Sequence, residues 1–234
     1  MTATPERAFP NRLIASPYHM VGLLGLIIAL SLITRLFVTS RPATTLRTEH
    51  LQVYLLGFSW DWLLFLYVRF GLKRRGVRTI RQVLDDRDWT FVRWLLYLAI
   101  AAGLVFLWGA LGFALGRFLN IDAEQAARIR SLFPSSLLDK TVWVVLSITA
   151  GFCEEFVYRG YLQQQFRAMT GSLSLAVVLQ ASAFGAAHLA FPWQIALMTV
   201  LLGLLVGTVA GWRRSLAPGM LFHAAFDILS GVLS

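Results

Sequence analysis

Seven apolar stretches, each close to the length needed to cross a bilayer, leave this chain little choice of architecture. With no water in hydrocarbon to satisfy backbone N–H and C=O groups, such stretches must bond internally as helices. They run from Met20 to Val38, from Leu51 to Leu72, from Phe91 to Leu119, from Ser136 through a polar end near Arg167, from Gly171 to Ala190, from Trp193 to Trp212, and from Leu216 to the C-terminus. The fold class is therefore all-α, a polytopic membrane helical bundle of about seven transmembrane helices. Hydrophobic residues make up 57% of the 234 residues, too many for the surface of a soluble domain of this size. The first stretch is too long for a signal peptide and no A-x-A site follows it. No internal repeat, low-complexity tract or long hydrophilic segment divides the chain. It reads as one membrane domain, with N-terminal helices 1–3 and a basic loop in residues 1–136 and a core in residues 137–234.

The formal charge of +9 would suggest nucleic acid in a soluble protein. Here the basic residues sit in loops between apolar stretches, which fits membrane lipids with anionic headgroups and excludes nucleic acid as the natural partner. The densest segment is Lys73, Arg74, Arg75, Arg78, Arg81, Arg87 and Arg93; Arg167 and the pair Arg213–Arg214 fall at the same end of the bundle. That end is predicted to be cytoplasmic, with the N-terminus, in an integral protein of the cell (inner) membrane. The single cysteine, Cys153, rules out disulfides within the chain.

Against this background Glu154, Glu155 and Arg159 stand out. A charge at the bilayer centre costs roughly 2.5–3.5 kcal/mol on insertion scales, so three within six residues need partners and a purpose. Residues four apart share a helix face, so Glu155 and Arg159 pair as a structural clamp. Glu154 lies about 100° around the helix and is free to act as a base. Two later stretches carry Phe184 and His188, then His223 and Asp227, again four apart, where Asp227 can orient the imidazole. His19 and His50 show no such context. Asp61, mid-way along the second stretch, is an intramembrane carboxylate and a functional candidate on that ground alone. Rise per residue puts Glu154, His188 and His223 in one layer of the inner half of the bilayer if the fourth helix continues through Gln163 and Arg167. The cavity is then expected to open toward the cytoplasm.

Glu154-Glu155-x-x-x-Arg159, Phe184-x-x-x-His188 and His223-x-x-x-Asp227 together resemble the three motifs of the CPBP intramembrane peptidases, which include the CAAX prenyl endopeptidases and the bacteriocin-processing and immunity proteins. The resemblance covers roughly residues 137 to 230. It implies an endopeptidase acting on a membrane-associated or lipid-modified (CAAX-like) peptide or protein, with Glu154 as general base, His188 holding the water, and His223 with the residue four after it stabilising the oxyanion. The prenyl endopeptidases carry asparagine at that last position. Asp227 must be protonated to donate there, or else orient His223. No cofactor is expected; the alternative is zinc on Glu154, His188 and His223, which have suitable ligand types although no H-E-x-x-H motif is present. Two rival functions remain: a non-catalytic immunity or scaffold protein that keeps these residues as a polar network, and a proton-coupled transporter, for which the inverted repeats and interrupted helices are not visible.

Overall fold

In a computed structural model the described residues are 13–42, 45, 49–74, 76, 83 and 90–233, and among them every regular element is helical. The elements are α1 (Pro17–Thr39), α2 (His50–Arg74), α3 (Phe91–Gly116), α4 (Ala123–Arg130), α5 (Leu137–Glu154), a π-helical segment (Glu155–Leu162), α6 (Gln163–Thr170), α7 (Leu173–Ala187), α8 (Trp193–Arg213) and α9 (Ala217–Val232). The chain is an all-helical membrane bundle. Among the described residues five helices are long and apolar enough to cross a membrane, α5 being counted together with its π-helical and α6 continuation, and α7 and α9 are shorter apolar helices. Of the basic segment, Arg75, Arg78, Arg81 and Arg87 lie outside the described residues, as do Arg7 and Arg12.

Local chemistry sets the helix ends. Ser16 accepts from the His19 N–H ahead of Pro17, and Asp122 accepts from the Gln125 N–H to start α4. Ser136 and Asp139 form a reciprocal capping box at the start of α5. The helix that begins there runs on through the π-helical segment into α6, 34 residues in all, and stops where Gly171 adopts φ 69°. The predicted extension through Gln163 and Arg167 is thus present. α7 has only 15 residues and ends at Ala187, leaving His188 in the turn that leads to α8. Irregular backbone at membrane depth is tolerated where it lines a cavity or is tied to protein. Here the Arg35 guanidinium donates to the Leu189 carbonyl at 3.0 Å.

Helix contacts are closest where side chains are smallest. A Cβ at Gly203 would come within 2.9 Å of Ala181, and those at Gly207 and Gly211 would meet Gln180, Gln163 and Leu173, so the glycine ridge of α8 is filled by α7 and its neighbours. Gly112 and Gly116 on α3 do not repeat this: the nearest atom to a Cβ at Gly112 is a Met198 methyl at 4.0 Å, and Gly116 has none within that range. Between α5 and α9 the backbones touch, since a Cβ at Gly151 would lie 2.9 Å from the Ala224 nitrogen and 3.0 Å from the Met220 carbonyl oxygen. Gly151→Val should force these helices apart, at about 1–3 kcal/mol. Thermal unfolding in detergent micelles should show a lower midpoint, and an unchanged midpoint would mean that this contact is looser than described.

Near Arg74 and Arg167 buried hydrogen bonds tie the chain ahead of α1 to the central helix. The Gln165 amide oxygen accepts from the N–H groups of Ile14 and Ala15 at 2.7 and 3.1 Å, and its nitrogen donates to the Ala15 carbonyl at 3.0 Å. Beside it His19 bridges the Tyr161 hydroxyl (2.8 Å) and the Tyr67 carbonyl (3.0 Å), with its ring stacked on Tyr67. His50, near the opposite end, contacts Asp139 at 3.2 Å and the Ser131 carbonyl at 2.8 Å. Both histidines lack context along the sequence because their partners lie on other helices.

Candidate functional site

The charged groups of the central helix converge with α9. Glu155 and Arg159 pair at 3.0 Å as their spacing predicts, and both are buried. The guanidinium also lies 4.4 Å from the centre of the Phe184 ring, an orientation that offers its charge to the π face. Phe184 is in turn packed edge-on against His188 and His223, so one aromatic ring joins the three motifs.

His223 is the hub. Its Nδ1 lies 3.2 Å from Glu155 Oε1, and its Nε2 lies 3.6 Å from Glu154 Oε2 and 3.5 Å from Asp227 Oδ2. Both ring nitrogens thus face carboxyl oxygens, with a hydrogen bond at Nδ1 and longer ion-pair distances at Nε2. Glu155 is therefore more than a clamp for Arg159, because the same oxygen, Oε1, is shared between the guanidinium and the imidazole. The sequence assigns the two glutamates separate roles, scaffold and base. The structure joins them through His223, since helical spacing describes neighbours on one helix and says nothing of what a facing helix brings.

His188 approaches from another side. Its Nδ1 donates to the Phe184 carbonyl at 3.0 Å, which in the neutral ring leaves Nε2 as the acceptor. His188 and Glu154 line the same cavity, together with Tyr158 and Asp61. The cavity has a volume of about 430 Å³ and walls from α1, α2, α5, the π-helical segment and the turn after α7. Apart from Asp61, Glu154, His188 and the hydroxyls of Ser31, Thr34, Tyr54 and Tyr158, its lining is mainly aliphatic and aromatic.

The cavity runs from Glu154 and His188 past Leu30 and Gly57 to Val38, Val53, Ile129 and Phe133. That end lies away from Lys73 and Arg74, which close α2. The sequence leads to the expectation of a cavity that opens toward the basic, cytoplasmic end, whereas its lining extends toward the other end of α1 and α2. Residue counts measure depth along a helix but do not reveal how neighbouring helices shape the space between them.

The donor set for zinc does not assemble. Among the described residues no three His, Cys, Asp or Glu side chains are arranged to hold a metal ion, and both nitrogens of His223 are turned to carboxyl groups. Glu154, His188 and His223 do not form a ligand triad in this arrangement.

Residues 136–229 match the family model described as type II CAAX prenyl endopeptidase Rce1-like. The match begins at the cap of α5 and ends within α9, so it takes in Glu154, Glu155, Arg159, Phe184, His188, His223 and Asp227 but not Asp61 or the cavity walls from α1 and α2. No curated protein and no solved structure matches the chain.

Proposed function

From the premise that residues 136–229 carry a type II CAAX prenyl endopeptidase Rce1-like domain, we propose that this membrane protein hydrolyses a peptide bond of a membrane-associated or lipid-modified substrate, with Glu154 and His188 activating water without a metal. The observation that carries this reading is the placement of Glu154 and His188 on the wall of one largely apolar cavity large enough for a peptide segment and a water molecule. Glu154 takes a proton from the water. His188, held by the Phe184 carbonyl, accepts the other water hydrogen at Nε2 and fixes the direction of attack on the carbonyl carbon. As the carbonyl π pair moves onto oxygen, the His223 Nε2–H answers the new charge, its ring held at Nδ1 by Glu155, with Asp227 3.5 Å from Nε2 helping to set its direction. An aspartate in place of the family's asparagine suits this orienting role, because an ionised carboxylate cannot donate. The apolar walls suit a lipid chain or the side chains of a membrane-embedded peptide.

His188→Ala is the direct test. With the full chain in liposomes and a fluorogenic farnesylated CAAX peptide, the variant should cleave about 10²–10⁴-fold more slowly than wild type. Equal rates would overturn the assignment and favour a scaffold role for the polar network.

A further inference from the structure

Asp61 lies on α2, outside the region matched to the endopeptidase family, yet it lines the same cavity as Glu154 and His188. It is 8% exposed, and among the described residues none gives it a hydrogen bond or an ion pair. A carboxyl group buried in a membrane helix without a partner is costly, and nothing in the packing of α2 requires it.

The charges around it do not balance. Once Arg159 is assigned to Glu155, the remaining ionisable groups of the site are three carboxyls, Asp61, Glu154 and Asp227, and two imidazoles, His223 and, on the cavity wall, His188, fewer bases than carboxyls. Even an imidazolium leaves an excess of negative charge in a low-dielectric space if every carboxyl is ionised. Facing carboxyl groups in that position share a proton.

We propose that Asp61 is a catalytic residue, the second carboxyl of a pair with Glu154 that holds one proton across the cavity and delivers it to the leaving amine. The assignment rests on Glu154 acting as the base. The step balances without any other reactant. Glu154 removes a proton from water, the water oxygen bonds to the carbonyl carbon, and the π pair moves to oxygen. When the tetrahedral species collapses, the C–N bond breaks with its pair going to nitrogen. The Asp61 O–H protonates that nitrogen, giving a carboxylic acid and an amine. The proton now on Glu154 passes back to Asp61 through the cavity, and the pair is restored. Asp61 would thus link the N-terminal helices to the chemistry of the matched domain.

The titratable groups around Asp61 are Glu154 and Cys153 on α5, Tyr158 on the π-helical segment, His223 and Asp227 on α9, and His188 beyond α7. α1 supplies no charged group to the cavity wall: its lining side chains are the hydroxyls of Ser31 and Thr34 and apolar residues. All of these remain in Asp61→Asn, so differences from wild type report on Asp61. Two measurements test the pair on the full chain in liposomes. In the first, the farnesylated CAAX peptide is cleaved across a pH series. Asp61→Asn should lower kcat about 10²-fold or more with KM within about twofold, and should lose the alkaline limb of the pH profile, while Asp61→Glu recovers part of the rate. In the second, the infrared band of a protonated carboxyl group, shifted in D2O, should be present in wild type and lost in Asp61→Asn. A wild-type pH profile and rate in Asp61→Asn would overturn the proposal, as would an infrared band that this variant leaves in place. The infrared arm needs no turnover. A wild type that cleaves nothing would therefore defeat the peptidase reading, and with it the catalytic role of Asp61, while the shared proton is still decided.

Discussion

Glu154→Gln is expected to reduce cleavage of a farnesylated CAAX peptide by about 10²–10⁴-fold and to leave the fold intact. The amide keeps the size of the carboxyl group and its ability to contact His223, 3.6 Å away, but it cannot take a proton from water. Glu154 is partly open to the cavity, so no buried charge is stranded by the change. The two readouts should separate: a rate near zero with a wild-type melting midpoint in micelles. A scaffold protein would show neither loss, and a variant that cleaves at the wild-type rate would remove Glu154 from the reaction altogether.

Arg159→Met should have the largest effect on stability. Its guanidinium is fully buried, paired with Glu155 at 3.0 Å and stacked on Phe184. Removing it leaves Glu155 buried beside Phe184 with only His223 to answer its charge. Breaking a buried pair in this way costs about 3–5 kcal/mol, more than the pair itself contributes. Arg159→Met combined with Glu155→Gln should recover a substantial part of that loss, because the stranded charge is then gone. Arg159→Lys should fall between, since a lysine keeps the charge but not the flat fork that lies on the ring. Denaturant titration in mixed micelles measures all three. A double variant no more stable than Arg159→Met would show that the guanidinium acts through packing alone.

Much of this arrangement can be read from spacing. The pairs Glu155–Arg159 and His223–Asp227 are each four residues apart and meet as a helix requires. The capping box at Ser136 and the polar extension through Gln163 are local features, visible because their cause lies within a few residues. Contacts between helices were not legible. Nothing near Gln165 in sequence points to Ile14 and Ala15, about 150 positions away, and nothing near His19 points to Tyr161. The same limit applies to Glu155 and His223, 68 positions apart. It applies as well to the direction in which the cavity extends, which depends on how the helices meet rather than on their composition. Asp61 is the intermediate case. Its burial could be inferred from the apolar stretch around it, but its place opposite Glu154 required the packing of α2 on α5.

The π-helical segment from Glu155 to Leu162 works as a change of gearing along a single rod. Its wider turns, closed over five residues instead of four, make every later side chain arrive on a different bearing than an unbroken α-helix would give. Because of that offset Gln163 reaches the Gly207 carbonyl on α8 while Gln165 latches the chain ahead of α1. Deleting one residue from the segment would leave composition and hydropathy almost untouched. It would nonetheless swing the latch away from its target and uncouple that end of the bundle from the carboxylates at the start of the segment. The site and the latch that ties down the start of α1 are thus held in phase by a single irregular stretch of backbone.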